Sequence, residues 1–181
     1  GISIEKGTYS VLIDESKLSW IGKEISTKIH TGTLDLSTGV VRVDSDNSIS
    51  GSIGINMSTL TVTDLQGRAK EMLERHLRSA DFFEVENYPE AKFSFKSKPF
   101  SKLENPISFE GELIIKGISN PILFNASLLE ISPLLKSSAN LSFDRSKYNV
   151  RFRSGSFFQN LGDKLILDDI DIEITLVSKK Q

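Results

Sequence analysis

The protein has 181 residues, of which 38% are hydrophobic and 25% charged. These proportions are typical of one soluble globular domain, so we expect residues 1–181 to fold as a single domain. The 22 basic and 24 acidic side chains nearly balance, which argues against a nucleic-acid partner. Cysteine is absent, which excludes disulfides, thiol nucleophiles and zinc–thiolate sites. No apolar run approaches the ~20 residues of a transmembrane segment.

Apolar and polar residues alternate along most of the chain, as in strands with one oily and one wet face. A parallel sheet covered by helices would give continuous apolar runs, so the strands are predicted to be antiparallel. Turn residues such as Ser37-Thr38-Gly39 separate the segments. Many short strands indicate a sandwich or a barrel, and we favour an eight-stranded barrel because closure leaves no exposed edge. In chain order the alternating segments are 8–14, 17–21, 28–36, 49–58, 91–96, 108–116 and 169–176.

One segment departs from this alternation and predicts a helix from Thr63 to Ala80. Its apolar residues recur at helical spacing at Leu65, Ala69, Met72, Leu73 and Leu77. Thr63 or Asp64 is suited to cap the start, and basic residues near the other end suit the helix dipole. Residues 81–89 are predicted to form a loop that leads back into strand. A single helix in an all-β chain often covers the open end of a barrel, and we expect that position here.

Phenylalanine dominates the predicted interior, with 11 residues against 1 Trp and 3 Tyr. Gly51 and Gly111 share the inward parity, which leaves room for a bend or for something to approach the backbone. An eight-stranded barrel is at the size where the interior is either packed solid or able to hold one small ligand. Both possibilities stay open at this point. The phenylalanines on the apolar parity are Phe93, Phe95, Phe109, Phe124, Phe143 and Phe152.

The two histidines are the polar residues with potential for chemistry. His30 shares the parity of Leu34 and Leu36 and is predicted to point inward, either towards a lipid head group or satisfied by backbone or water. His76 lies among basic helix residues, where a solvated helix end is favoured over contact with a pyrophosphate or an acidic membrane. No third metal ligand stands at a recognisable spacing, so no metal site is predicted.

Other sequence features argue against catalysis. Within the acidic group at 163–173, Asp169, Asp171 and Glu173 alternate with isoleucines and are predicted to form an outward, solvated face. No nucleophile elbow, phosphate-binding loop or dinucleotide glycine pattern is present. We therefore expect neither an enzyme nor a bound cofactor. An esterase or isomerase that depends on His30 ranks last among the alternatives.

Several short motifs in order carry a resemblance to a known family. They are Tyr9 with Asp14, Ser19-Trp20-x-Gly22, His30-Thr31-Gly32, Ile55-x-Met57-Ser58, Asp81-Phe82-Phe83, Tyr88-Pro89-x-Ala91-x-Phe93 and Gly111-x-Leu113-x-Ile115-x-Gly117. With these motifs the chain resembles the YceI-like family from about residue 7 to residue 177. Its C-terminal part, with Asp144-Arg145-Ser146-x-Tyr148 and Leu161-Gly162-Asp163-Lys164, is similar to the Bacteroidetes-type members.

The resemblance implies an extended, lipocalin-like antiparallel barrel that binds polyisoprenoid or other long amphiphilic lipids. It also implies an exported, often periplasmic protein whose leader is removed before residue 1, and it offers no catalytic motif. Fold transfers better than activity across such families.

We therefore expect non-catalytic binding of a polyisoprenoid or fatty-acid-like lipid inside the barrel, for transport or storage in the cell envelope. Residues 63–88 would frame one end. The predicted ligand-binding residues are Trp20, His30, Leu34, Ile55, Met57, Phe93, Phe95, Phe109, Leu113, Ile115 and Phe124. The alternative is a packed interaction barrel without ligand, which forms a homodimer through apolar residues of the opposite parity. Those residues are Leu12, Ile21, Ile29, Ile114, Leu123, Leu129 and Ile131.

Overall fold

The computed structural model describes residues 3–181, which form nine strands, one α-helix and three short 3-10 helices. The helix, α1, is Gly67–Arg78, and the 3-10 helices are Ile13–Glu15, Arg145–Tyr148 and Gly162–Lys164. The strands are β1 (Gly7–Val11), β2 (Lys17–Lys23), β3 (Ile29–Val43), β4 (Ile49–Val62), β5 (Glu90–Ser97), β6 (Ile107–Ile115), β7 (Ile118–Glu130), β8 (Leu135–Asp144) and β9 (Asp169–Lys180).

The strands close into an antiparallel barrel. From β2 to β9 each strand pairs with the next, and β9 returns to pair with β2. Strands β1 and β2 share one position in the wall, because both pair with β3 and with β9. The 3-10 helix Ile13–Glu15 separates them. The alternation over 8–14 predicted a strand as far as Asp14, but β1 ends at Val11. The predicted eight-stranded, all-β barrel with one helix is confirmed, with eight strand positions around its wall.

Strand β3 corrects one predicted turn. Ser37-Thr38-Gly39 lies within β3, so the chain does not reverse there. Register shifts between Thr33 and Asp35 and between Leu36 and Thr38 mark bulges in the pairing with β4. Bulges bend a strand and increase its twist without ending it. The turn-forming residues therefore produce a bend in a long barrel strand.

The strand order divides the connections between two ends of the barrel. Residues 24–28, 63–89, 116–117 and 145–168 lie at one end, which we call the open end. Residues 44–48, 98–106 and 131–134 and both described termini lie at the other, which we call the closed end, whereas residues 12–16 between β1 and β2 lie within the wall. Because the two long connections both belong to the open end, irregular structure and α1 are concentrated there.

Helix α1 begins later than predicted. It starts at Gly67, and its N-cap residue Gln66 makes no side-chain capping hydrogen bond. The predicted caps, Thr63 and Asp64, lie before the helix. The Asp64 carboxylate is engaged instead by the ring of His30 on β3, with 2.8 Å between Nδ1 and Oδ2. A contact with the neighbouring strand β3 therefore removes Asp64 from the helix end.

The closed-end half of the barrel is filled by four aromatic side chains, which we call the phenylalanine plug. The plug consists of Phe93, Phe95, Phe109 and Phe124, whose neighbouring ring centroids lie 5.3 to 6.2 Å apart. The inward glycines make space for these rings. A Cβ on Gly51 would lie 2.6 Å from the ring of Phe95, and a Cβ on Gly111 would lie 2.8 Å from the ring of Phe93.

Candidate ligand-binding cavity

The open-end half of the barrel contains a cavity of about 330 Å³. Its walls are mostly aliphatic and aromatic side chains from β2 to β6, β8 and β9. A second void, of about 50 Å³, lies towards the closed end, and Phe93 borders both spaces. The barrel is thus hollow in its open-end half and nearly filled in its closed-end half. The sequence left open whether the interior is packed or able to hold a ligand, and each of these possibilities applies to one half of the barrel.

Eight of the eleven predicted ligand-binding residues line the larger cavity. They are Trp20, His30, Leu34, Ile55, Met57, Phe93, Leu113 and Ile115. Phe95, Phe109 and Phe124 point inward as expected but border only the smaller void. They pack on one another in the phenylalanine plug, which keeps them away from the main cavity. Strand parity therefore separates inside from outside but does not give depth along the barrel.

Helix α1 and the loop that follows it cover part of the opening. Leu73 and Leu77 of α1 are half-buried and line the cavity together with Phe82 and Phe83 of the loop. No side chain of α1 is fully buried, whereas both phenylalanines are less than 10% exposed. The helix is therefore an amphipathic cover, attached by its own apolar face and by the loop. This placement fits the expectation that 63–88 frames one end.

His76 lies in the last turn of α1, as predicted, and its side chain is 38% exposed, but its ring also lines the cavity wall, which the sequence did not indicate. Its ring meets Phe82 and Phe152 edge-on, with centroids 4.9 and 4.6 Å apart. Its Nε2 lies 3.0 Å from Oδ2 of Asp81. Phe152 is misplaced by the sequence pattern, since it lies in the β8–β9 connection and not on a strand. The β8–β9 connection folds back over the opening and meets α1 at this aromatic contact.

His30 lies at the cavity opening, where Asp64 holds it. The Asp64 carboxylate also accepts a hydrogen bond from the backbone N–H of Thr31 at 3.0 Å. Burial raises the pKa of Asp64, but the hydrogen bonds from Thr31 and His30 lower that pKa more, so its net displacement is downward. On the other side of the imidazole ring, His30 Nε2 lies 4.0 Å from Oε1 of Glu24. The ring is therefore satisfied by a side chain, and this pair fastens β3 to the segment before α1.

Arg145 organises the β8–β9 connection from within. Only 1% of this residue is exposed. Its guanidinium donates to the backbone carbonyls of Val150 (3.0 Å), Phe152 (2.9 Å), Ile166 (3.0 Å) and Leu167 (3.2 Å). Burial lowers the pKa of Arg145 while Asp168, 3.9 Å away, and Asp144 raise it. An arginine keeps its charge in such a site, so one buried cation ties both arms of the connection together.

Trp20 places an unpaired donor beside the cavity. The residue is 7% exposed, and its Nε1 has no hydrogen-bond partner within residues 3–181. The indole lies against Gly32, where a Cβ would be only 2.1 Å from the ring. The indole N–H can only donate, and leaving a buried donor unpaired costs about 1–3 kcal/mol. A ligand oxygen within reach of this nitrogen would remove that cost.

Within residues 3–181, no helix combines the length and apolar character needed to cross a membrane. Over the same residues, no three histidine, aspartate or glutamate side chains come together as a metal-binding group.

The same barrel occurs in known proteins. The YceI-like domain family matches residues 9–178. The chain belongs to the YceI-like family. The resemblance carried by the sequence motifs is thereby confirmed. A UPF0312 protein of Photorhabdus laumondii is 28% identical over 149 residues, which are 82% of this chain and 74% of that protein. Protein YceI of Escherichia coli is 26% identical over 98 residues, which are 54% of this chain and 48% of YceI.

Solved structures share the YceI-like fold. BcnA of Burkholderia cenocepacia has a TM-score of 0.71 at 21% identity, covering 92% of this chain and 98% of BcnA. A polyisoprenoid binding domain from Saccharophagus degradans has a TM-score of 0.64 at 13% identity, covering 96% of this chain and 98% of the domain. At these identities the likeness shows the fold and leaves the ligand of this chain to be argued from its own cavity.

Proposed function

We propose that this YceI-like protein binds a long-chain amphiphilic lipid, polyisoprenoid or fatty-acid-like, inside the barrel without catalysis. The observation that carries the proposal is the apolar cavity of about 330 Å³ at the open end. Its volume falls at the lower end of the ~300–1,000 Å³ of small-molecule pockets. The naming of the Saccharophagus degradans relative as a polyisoprenoid binding domain supports the same ligand class.

The apolar surface that a lipid tail would bury in the cavity is sufficient for micromolar affinity. A tail that hides several hundred Å² of apolar surface gains on the order of 10 kcal/mol at ~25 cal/mol per Å². Ordering the tail and losing its translational and rotational freedom removes much of that gain, so we expect micromolar or tighter binding. Apolar walls distinguish single methylenes weakly, so length and head group would set the selectivity.

The polar residues indicate how such a ligand would be oriented. Lys23, Glu24 and Arg153 line the cavity at the open end, whereas the phenylalanine plug closes the other side. Trp20 lies below this polar opening with its unpaired Nε1. We infer that the tail points towards the plug and that an oxygen of the head group accepts a hydrogen bond from Trp20.

Titration of the delipidated protein with a prenyl alcohol tests the proposal. Trp20 is the one tryptophan of the chain and lines the cavity, so its fluorescence reports on occupancy. We expect a saturable spectral change with a micromolar midpoint, and native mass spectrometry of the undelipidated protein to show one long-chain lipid per chain. If neither a bound species nor saturation is found, the binding proposal is wrong and the alternative of an interaction barrel without ligand takes its place.

Substitution Trp20→Phe tests the orientation of the ligand separately. Phenylalanine keeps an aromatic ring in the wall but removes the donor. We expect the dissociation constant for a prenyl alcohol to rise about fivefold, the value of one hydrogen bond of roughly 1 kcal/mol. Calorimetry measures it, since the variant has no tryptophan fluorescence. The hydrocarbon of the same length without the hydroxyl is the control ligand, and equal losses for both ligands would contradict a hydrogen bond from Trp20.

We also propose that the protein works in the periplasm or cell envelope, in lipid storage or transport. The support is the family resemblance described for the sequence. Cell fractionation of the natural host, followed with an antibody against the barrel, checks the location. Recovery of the protein with the cytosolic fraction would contradict it.

A further inference from the structure

Exposed hydrophobic side chains are concentrated at the open end. In the part of the chain that the structure describes, ten large hydrophobic residues are exposed, and eight of them belong to this end. Six of these, which we call the rim, are Ile25, Ile29, Met72, Phe157, Phe158 and Leu167. Only Leu123 and Leu129, both on β7, lie elsewhere. Scattered apolar residues are ordinary on a protein surface, but a concentration at one end marks an interaction site.

The rim is continuous with the wall of the cavity. The N–H of Ile25 bonds to the carbonyl of Leu165 at 3.0 Å, and the N–H of Leu167 bonds to the carbonyl of Lys23 at 2.8 Å. These bonds hold the β2–β3 turn beside the β8–β9 connection. Leu167 itself is 36% exposed and lines the cavity. The apolar surface of the interior therefore reaches the rim at Leu167, beside the charged residues Lys23 and Glu24 that also line the opening.

Phe157 and Phe158 are the most prominent rim residues on the β8–β9 connection. They are 43% and 50% exposed, and their N–H groups both bond to the carbonyl of Ser154. The guanidinium of Arg151 lies over the ring of Phe157, 4.4 Å from its centroid. Exposed aromatics beside a cationic side chain are the combination found where proteins contact lipid head groups and the upper acyl chains.

The distribution of charged residues also favours a lipid surface as the partner of the open end. The connections of the open end, residues 24–28, 63–89, 116–117 and 145–168, carry 11 lysines and arginines against 9 aspartates and glutamates. The whole chain carries 22 against 24, so the remainder of the protein is clearly acidic. A basic end on an acidic barrel would turn that end towards an anionic lipid surface and the rest away from it.

We propose that the rim docks on an anionic lipid bilayer with the cavity opening against the membrane. The exposed apolar side chains enter the head-group region, and lysines and arginines around them contact the lipid phosphates. A hydrocarbon tail then passes between bilayer and cavity without crossing water. This proposal goes beyond lipid binding, because it concerns an external surface and a membrane partner.

Vesicle flotation of the full chain tests the docking. We expect the protein to float with vesicles of equal parts phosphatidylcholine and phosphatidylglycerol, and to bind pure phosphatidylcholine and high-salt samples more weakly. The double variant Phe157→Ser with Phe158→Ser should reduce the vesicle-bound fraction by about tenfold, since two aromatic side chains no longer enter the bilayer. The matched control is Leu123→Ser with Leu129→Ser, which removes exposed apolar residues of β7 and should leave flotation unchanged.

A second readout separates docking from lipid binding. Trp20 fluorescence with a prenyl alcohol supplied in detergent should be the same for the rim variant and the unaltered protein, because the cavity is intact. Equal flotation of the rim variant and the unaltered protein overturns the proposal. It is also overturned if the protein ignores vesicles but forms an oligomer in size-exclusion chromatography that the rim substitutions dissociate, since the partner would then be a second copy of the chain.

Discussion

Replacement of Ala91 by phenylalanine is expected to weaken lipid binding strongly while the barrel stays at least as stable as before. Ala91 is 3% exposed and lines the cavity of about 330 Å³ opposite Ile55. The new ring occupies space that the tail would use, which removes about 2 kcal/mol or more of apolar contact and raises the dissociation constant at least about thirtyfold. Because the ring fills an existing void, the overpacking that usually follows a larger side chain does not arise.

The matched control is the same change at Ala139. This residue lines the small void of about 50 Å³ beside the phenylalanine plug, where no room exists for a ring. We expect Ala139→Phe to lower the free energy of unfolding by about 1–3 kcal/mol through overpacking, with prenyl alcohol still taken up by the folded protein. Urea unfolding and Trp20 fluorescence measure the two effects. If Ala91→Phe destabilises the barrel as much as Ala139→Phe does, the open-end cavity is not the space described here.

Replacement of Arg145 by methionine is expected to cause the largest loss of stability. It removes the donor to four backbone carbonyls inside the β8–β9 connection and leaves Asp168 without its nearby cation. Uncompensated buried acceptors and a broken buried ion pair together cost roughly 3–5 kcal/mol. Circular dichroism during urea unfolding gives the change in free energy. Hydrogen exchange should also show lost protection across residues 150–168.

Arg151→Met is the matched control for Arg145. Arg151 is exposed and contacts the ring of Phe157 without donating to the four carbonyls. We expect its replacement to change the free energy of unfolding by less than about 1 kcal/mol. Arg145→Lys provides a further comparison, since an ammonium group keeps the charge but lacks the planar set of donors that reaches several carbonyls. Near-native stability of Arg145→Met would show that the connection is held by other contacts.

Strand parity predicted the architecture because the alternation of inward and outward side chains depends only on neighbouring residues in the sequence. Alternation around Trp20 and Leu113 was enough to place both side chains inside an antiparallel barrel. The same parity placed Phe95 inside but assigned it to the ligand cavity, because depth along the axis depends on strand stagger, which a single segment does not encode. The resemblance to the YceI-like family added the lipocalin-like form of the barrel and the class of ligand that we propose.

The residues that were misplaced depend on contacts between distant parts of the chain. Asp64 was predicted to cap α1, yet its carboxylate pairs with His30, which lies 34 residues earlier on β3. The β8–β9 connection has no regular repeat, so Phe152 was assigned to a strand and the role of Arg145 went unrecognised. A fully buried arginine that bonds to backbone carbonyls leaves no periodic signal. Two motifs of the family resemblance, Asp144-Arg145-Ser146-x-Tyr148 and Leu161-Gly162-Asp163-Lys164, lie in this region without indicating that role.

In the proposed complex, the phenylalanine plug would limit the length of hydrocarbon tail that the barrel buries. A hydrocarbon tail that enters at the rim can descend only until it meets Phe93, where the rings fill the bore. Carbons beyond that length would stay outside the opening, so the plug would fix the maximum length of tail that the barrel can bury. Smaller residues at these four positions would make room for a longer tail. Substitutions there could therefore change the preferred chain length of the ligand without altering the strands.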